Sequence, residues 1–325
     1  MTATRQENAS SGLDRSEPIY VAGHRGLVGS AVWRNLTNHS FINLIGRGSD
    51  ELDLLDRNAV FEFFAATKPT TVILAAARVG GILANSRFPA DFLSENLRIQ
   101  CNVLDAARQH EVPRLLFLGS SCVYPKFAPQ PIKEEYLLSG HLEPTNDAYA
   151  IAKISGILQV QAVRRQDGLD WISAMPTNLY GPGDNFAENN SHVLPALIRR
   201  FEQARLDGEP SVTNWGTGTP RREFLHVDDL AEALLFLLEH YHEAEPINVG
   251  TGADVTISNV ADLVARAVGY GGRIEWDSTK PDGTPRKVLD VTKLTNLGWS
   301  PRISLDDGVR STVEWFRNNV GNIRQ

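Results

Sequence analysis

The sequence predicts an α/β fold: a doubly wound parallel sheet followed by a smaller mixed α/β domain. Apolar runs such as "TVILAAA" and "RLLFLG" are continuous rather than alternating, as in strands covered on both faces. They alternate with longer amphipathic stretches, which implies right-handed crossover helices between parallel strands. The first run, "IYVA", enters a glycine turn, "GHRGLVG", that opens a helical pattern.

The elements follow in order. Ile19 to Ala22 is the first strand, and "LVGSAVWRNL" the helix after the turn. "FINLIG" is the second strand, "NAVFEFFAAT" a helix that stops before Lys68-Pro69, and "TVILAAA" the third strand. "DFLSENLRIQCNVLDAARQHE" is a long amphipathic helix, "RLLFLGSS" the fourth strand, and "YAIAKISGILQVQAVRRQ" another helix before the strand "DWISAMPTNLYG". The pattern then loosens into "PGDNFAENNSH". A helix "VLPALIRRFEQARLDG", a strand near "SVTNWG", the stretch "EFLHVDDLAEALLFLLEHY" with "INVGTG", a helix "ISNVADLVARAVG", the loop "KPDGTPRK" and a terminal helix ending near Asn318 complete the chain. The expected division is a tail over 1–17, a dinucleotide-binding domain over 18–175 with a return segment at 223–250, and a substrate-binding domain over 176–222 and 251–325.

Bulk properties narrow the class. The chain has 325 residues, 42% hydrophobic and 22% charged, in the range of a soluble globular protein. A net charge of −7, from 39 acidic against 32 basic residues, argues against a general nucleic-acid binder. No apolar stretch is long enough to span a bilayer, so no membrane partner is expected. Met1 to Glu17 is polar and without a signal-type apolar block, and is expected to be a disordered tail. Two cysteines, Cys101 and Cys122, do not make a disulfide framework, and the cytoplasm is the default compartment. No metal is expected.

The glycine turn is a candidate dinucleotide site. Gly23, Gly26 and Gly29 follow a strand and precede a helix, where glycine permits a tight turn, close approach to a pyrophosphate, and a helix N-terminus aimed at it. The spacing is G-x-x-G-x-x-G, only a partial match to the usual dinucleotide fingerprint, and glycines in a turn can be punctuation. An acidic residue ending the second strand would select NAD; here the strand ends in Arg47, and Arg25 lies in the turn. Two guanidinium groups suit a 2′-phosphate, although both could be ordinary solvated arginines, so NADP(H) is the expected cofactor.

Tyr149 and Lys153, four apart on an expected helix, share one face. An ammonium beside a phenol is expected to lower the tyrosine pKa and equip it to give a proton to an oxygen while hydride reaches the adjacent carbon. Cys122 ends the fourth strand in "LGSSCVY", where a lone cysteine is usually a small core residue. Cys101, on the apolar side of its helix, reads as core.

With these residues assembled, the chain resembles the extended short-chain dehydrogenase/reductases acting on nucleotide sugars, which have the Rossmann fold. The glycine turn, "LGSSCVY", "YAIAK" and "REFLHVDD" carry the likeness. "AGHRGLVGSA", "AAARVGGI", "GSSCVYPK", "EPTNDAYAIAK", "MPTNLYGPGDNF", "NSHVLPALIRRF" and "KPDGTPRK" narrow it to the branch that converts GDP-4-keto-6-deoxy-D-mannose to GDP-L-fucose. The likeness runs from about Ile19 to the C-terminus.

The resemblance implies C3 and C5 epimerisation through enolates, then NADPH-dependent reduction of the C4 ketone. It implies a Ser120, Tyr149 and Lys153 set for the reduction, with Cys122 and His192 as acid and base of the epimerisation. Inversion needs a base on one face of the sugar and an acid on the other, which two different side chains supply. Which group acts at which carbon stays open.

For the cofactor the resemblance implies contacts at Leu27, Val28, Asp53 and Leu54 early in the chain. Leu118, Gly119, Pro176, Asn178, Leu179 and His192 are implied at the later strand ends. For the GDP-sugar it implies Arg200, Arg222 and Lys287 against the diphosphate, with Trp215, Val193, Leu197 and Asp282 nearby. Asn178 could also simply hold its turn, and Arg221 and Arg286 read as surface charges. Where the family pattern has arginine, this chain has Ser49, which can bond a phosphate oxygen but brings no charge. A preference for NADPH over NADH is expected, with a reduced margin.

Another nucleotide-sugar 4-epimerase or a dehydratase of the same fold is the alternative. A dehydratase would want an acidic pair where this chain has Ser121-Cys122, and a 4-epimerase has no need of Cys122 and His192. A cofactor-binding scaffold without catalysis is disfavoured by the intact Tyr149 and Lys153. A homodimer built on the helices around Asn96 and Tyr149 is expected.

Overall fold

The computed structural model of the protein describes residues 12–187, 191–280 and 282–322. A six-stranded parallel sheet organises the first part of the chain: β1 (Ile19–Ala22), β2 (Leu44–Ile45), β3 (Thr71–Leu74), β4 (Arg114–Leu118), β5 (Asp170–Pro176) and a late strand, Ile247–Val249. The strand order places the late strand at one edge, then β5, β4, β3, β1 and β2. After β2 the chain crosses to β3 on the other side of β1, so the crevice for a ligand opens at the carboxyl ends of β1 and β3.

Side-chain alternation on these strands divides the core. Ile19 and Val21 pack with α1 (Leu27–Asn38), and Tyr20 and Ala22 pack on the opposite face with α2 (Arg57–Thr67). A short α3 (Ile82–Arg87) leads to α4 (Pro89–Gln109), which lies against α5 (Asp147–Asp167) on the α2 side. β1, β3 and β4 are buried along their whole length, and none of the described helices is long and apolar enough to cross a membrane.

Beyond β5 the chain breaks at Thr177 and resumes as β6 (Asn178–Tyr180). Then follow α6 (Val193–Asp207), β7 (Ser211–Trp215), β8 (Arg221–Arg222), β9 (Phe224–His226) and α7 (Val227–His240), the last packed on α1. The late sheet strand is β10 (Ile247–Val249), parallel to β5. After it come β11 (Val255–Thr256), α8 (Ile257–Val268), β12 (Arg273–Asp277), β13 (Arg286–Lys287), α9 (Thr292–Asn296) and α10 (Leu305–Asn318). Phe186, Ile198, Phe201, Val264 and Val313 lie at the heart of a separate apolar cluster built from α6, α8 and α10.

Three expectations need correction. Residues 12–17 of the expected disordered tail are ordered: Leu13 packs on the α1 face, the Ile42 N–H donates to the Arg15 carbonyl at 3.0 Å, and the Arg15 guanidinium lies 5.2 Å from the Phe41 ring centre. The rest of that tail, 1–11, lies outside the described residues. The second strand keeps only Leu44–Ile45 of "FINLIG", because Phe41 turns inward to the core before pairing begins. Finally, "KPDGTPRK" is not loop throughout, since Arg286 and Lys287 pair in parallel with Arg221 and Arg222.

Candidate active site

The glycine turn has the shape a pyrophosphate needs. Gly23 has φ +83°, a backbone state favouring glycine, and a Cβ there would approach the Ala76 backbone to 2.9 Å. A Cβ on Gly29 would collide with the Gly23 carbonyl, so α1 can pass this close only with glycine in its first turn. Gly26 occupies the N-cap of α1 without a side-chain cap, so no capping side chain takes up the first N–H groups at the positive end of the helix dipole. These features fit an NADP(H) pyrophosphate.

The arginine corner is less simple. Arg25 Nη1 donates to Asp50 Oδ1 at 3.0 Å and Arg25 Nη2 to Glu51 Oε2 at 3.2 Å. The same Glu51 oxygen accepts the Gly48 N–H at 2.7 Å, so the loop after β2 closes around the guanidinium. Arg47 lies over the Phe63 ring at 5.8 Å and donates to the Gly46 carbonyl, while Ser49 is exposed. Asp53 caps its own turn by accepting the Leu55 N–H, and the Leu54 carbonyl accepts from Asn102. Asp53 and Leu54 therefore shape this loop.

At the end of β4 the side chains expected to carry the chemistry converge. Ser120 Oγ accepts the Cys122 N–H at 3.3 Å and caps the single helical turn Ser121–Val123. Lys153 is buried on α5, with its Nζ donating to the Leu118 carbonyl at 2.8 Å and lying 5.9 Å from the Tyr149 ring centre. Tyr149 packs edge-on against Phe92 at 6.4 Å. Gly119 lets the Met175 side chain pack against the turn, and Pro176 ends β5 beside Val249.

Burial governs the acid–base state of this cluster. It pushes the Cys122 thiol up, against the nearby positive charge of Lys287, the Ser120 hydrogen bond and the charge of Lys153, which pull it down. Burial lowers Lys153 to about 8, partly offset by the attraction of the Cys122 sulfur. Tyr149 is also raised by burial, helped by the negative form of Cys122. The expected lowering of the phenol pKa is thus overturned: desolvation outweighs an ammonium already engaged with the Leu118 carbonyl.

His192 stands at the N-cap of α6, where histidine could have capped the helix, but its side chain makes no capping bond. The residue is exposed overall, and desolvation by the protein atoms around it lowers its pKa. Val193 beside it is exposed. Of the cations expected to meet the substrate, Lys287 and Arg222 are neighbours in the β8–β13 pair, and burial lowers the pKa of each. Arg200 donates to Asn214 Oδ1 at 2.8 Å, and Trp215 is exposed with the Lys280 ammonium 5.8 Å from its ring.

Some expected contacts have other work. Leu197 is buried in the cluster of α6, α8 and α10, and Asp282 spends its oxygens on the Thr217 N–H at 2.9 Å and Thr217 Oγ1 at 2.7 Å. Leu197 points into core because its helix turns that stripe toward α8. Asp282 is drawn back by the close Gly216 turn. Leu179 packs at the margin of the α1-side core. Asn178 Nδ2 donates to the Glu223 carbonyl at 2.8 Å, the turn-holding alternative.

The match to known proteins is extensive. The model of the NAD dependent epimerase/dehydratase family matches residues 19–250. The chain belongs to that family. It is 57% identical over 322 residues to GDP-L-fucose synthase 1 of Arabidopsis thaliana, covering 99% of this chain and 100% of the relative. Against GDP-L-fucose synthase of Escherichia coli (strain K12) the identity is 53%, over 94% of this chain and 98% of the relative. A solved GDP-L-fucose synthetase from Naegleria fowleri bound to NADP superposes with a TM-score of 0.90 at 29% identity, covering 97% of this chain and 98% of that one.

Three further side chains near these residues carry no clear signal in the sequence. Lys280 carries a positive charge to the face of Trp215. Glu143 accepts from Lys126 at 3.0 Å and from Thr284 Oγ1 at 3.4 Å, linking the loop before α5 to the loop before β13. Glu223 is completely buried between β8 and β9. An acid set between two arginines and an apolar strand, "RREF", is the one signal that could have drawn attention to it.

Proposed function

We propose that the protein converts GDP-4-keto-6-deoxy-D-mannose to GDP-L-fucose, inverting C3 and C5 and reducing the C4 ketone with NADPH. The observation that carries the reading is the meeting of Ser120, Cys122, Tyr149, Lys153 and Lys287 at the carboxyl end of β4. The glycine turn and the start of α1 hold the cofactor pyrophosphate, and Arg25 and Arg47 with Ser49 meet its 2′-phosphate. When bound, NADPH supplies the hydride for C4.

The chain's residues supply the rest. Ser120 and Tyr149 hold the ketone oxygen, which makes the protons on the flanking carbons acidic because the resulting carbanion delocalises into an enolate. Cys122 and His192 remove and return those protons from opposite faces of the sugar. Tyr149, kept protonated by its raised pKa, gives its proton to the oxygen as C4 is reduced. Arg222 and Lys287 hold the diphosphate, with Arg200 and Trp215 at the nucleotide end.

Incubation with GDP-4-keto-6-deoxy-D-mannose and NADPH in deuterated water tests the whole reading. The expected product is GDP-L-fucose labelled at C3 and C5, and C122S is expected to lose the label at least about 100-fold faster than it loses ketone reduction. Reduction without label at either carbon would leave a simple ketoreductase.

The division into a cofactor unit over 18–175 with 223–250, and a substrate unit over 176–222 with 251–325, is supported by the separate apolar cluster of α6, α8 and α10. A homodimer is supported by Ile151 and Leu158, apolar residues 46% and 43% exposed on α5. Two free cysteines favour a reducing compartment, the cytoplasm.

A further inference from the structure

We propose that Glu223 is a positioning residue for the GDP-sugar, fixing Arg222 and Lys287 against the end of the parallel sheet. The inference rests on the reading of those two cations given above.

Glu223 is the single residue between β8 and β9, and it is 0% exposed. Its carboxylate accepts three backbone N–H groups. Oε1 takes those of Thr251 at 2.6 Å and Gly252 at 2.7 Å, just beyond β10, and Oε2 takes that of Leu289 at 2.9 Å, just beyond β13. Its own backbone is equally engaged: its carbonyl accepts from Asn178 Nδ2 at 2.8 Å, and its N–H donates to the Lys287 carbonyl at 3.3 Å. One residue thus joins the start of β6, the end of β10 and the β8–β13 pair that carries Arg222 and Lys287.

The choice of side chain matters physically. A buried acid is costly unless its oxygens are bonded, and here both are. Only a carboxylate offers acceptors on both oxygens with no donor to clash, so all three N–H groups can point inward at once. Glutamine would keep the bonds to Thr251 and Gly252 but would turn an NH₂ toward the Leu289 N–H. The strand holding Lys287 would then lose its fixed distance from the sheet, and with it from Cys122. Burial pushes the Glu223 carboxyl up, and the N–H groups of Leu289 and Gly252 lead the bonds that oppose that rise, so the three backbone contacts are what favour its carboxylate form.

Full-length wild type, E223Q and E223D are compared by calorimetric binding of GDP, fluorescence binding of NADPH, and steady-state kinetics with GDP-4-keto-6-deoxy-D-mannose. E223Q is expected to bind GDP about tenfold more weakly, with NADPH affinity within about twofold, and to raise KM about tenfold with a smaller change in kcat. E223D, which keeps the charge on a shorter stem, is expected to recover part of the GDP affinity; it carries the comparison if E223Q does not fold. Unchanged GDP affinity in the folded variant overturns the proposal. So does an equal loss of GDP and NADPH binding, or failure of both variants to fold, since either makes Glu223 a general support of the fold. Wild type that binds GDP but turns over no keto-sugar would instead sink the proposed activity, leaving the GDP result to judge Glu223 alone.

Discussion

The Lys153 ammonium donates to the Leu118 carbonyl at 2.8 Å, tying α5 to the end of β4 where Ser120 and Cys122 follow. Lys153 is 3% exposed, and burial has lowered its pKa to about 8, with the attraction of Cys122 opposing part of that fall.

A pH dependence follows from that value. Below about 8 the ammonium is present, and above it the charge beside Tyr149 is lost. The rate of ketone reduction is therefore expected to fall about tenfold per pH unit above 8, while K153M is expected to be slow, by about 100-fold or more, and flat across the same range. The stability linkage runs the other way: a lysine whose folded pKa lies below its ordinary value of 10.5 penalises folding below pH 8, and the penalty fades as pH rises from 8 to 10.5. Pre-steady-state NADPH oxidation against pH checks the first, and a reduction rate independent of pH between 7 and 10, a window set by that ordinary lysine range, would count against it.

Much of this site was legible because it lies where strong patterns end. The continuous apolar runs of β1, β3, β4 and β5 mark buried strands, and of the residues proposed to react, Ser120 and Cys122 follow β4 while Tyr149 and Lys153 stand on the next helix. What could not be read depends on segments meeting. β8 and β13 are two residues each, all arginine or lysine, with no apolar period to announce them. Glu223 has a role only because the ends of three distant strands reach it. Arg25 looked like a phosphate ligand, and its clasp by Asp50 and Glu51 required the loop after β2 to fold back. Burial, which a sequence pattern cannot weigh, reversed the expected direction for Tyr149.

Arg25 makes the cofactor preference measurable. Its guanidinium is shared with two carboxylates, and both partners of each pair are well exposed, so each pairing is weak and a phosphate can compete for the cation. R25M is expected to lower kcat/KM for NADPH about tenfold and to leave NADH within about twofold, because only the 2′-phosphate distinguishes the two. Parallel steady-state assays with both cofactors decide it; an equal loss with NADH would assign Arg25 to the pyrophosphate or the loop.

Stability in acid should report on the far end of the molecule. Glu202 on α6 accepts from Arg205 at 2.8 and 3.1 Å and from Arg317 of α10 at 2.9 and 2.6 Å, and Arg317 also reaches the Val268 carbonyl at the end of α8. The Arg205 bonds, then those of Arg317, hold the Glu202 carboxyl down to about 2 from an ordinary value of 4.5, against the opposing effect of burial. A carboxyl with a lowered folded pKa contributes stability above its ordinary value and loses it as pH falls through the folded one. With the arginine side chains 36% and 39% exposed, solvent screening limits the contribution to about 2 kcal/mol. E202Q is expected to melt about 4 °C below wild type at pH 7, and the gap should close between pH 4.5 and 2 as the wild-type carboxylate takes up its proton. Thermal melts of both proteins across that range test it, and a gap that persists unchanged at the acid end would mean that packing, rather than charge, joins α6 to α10.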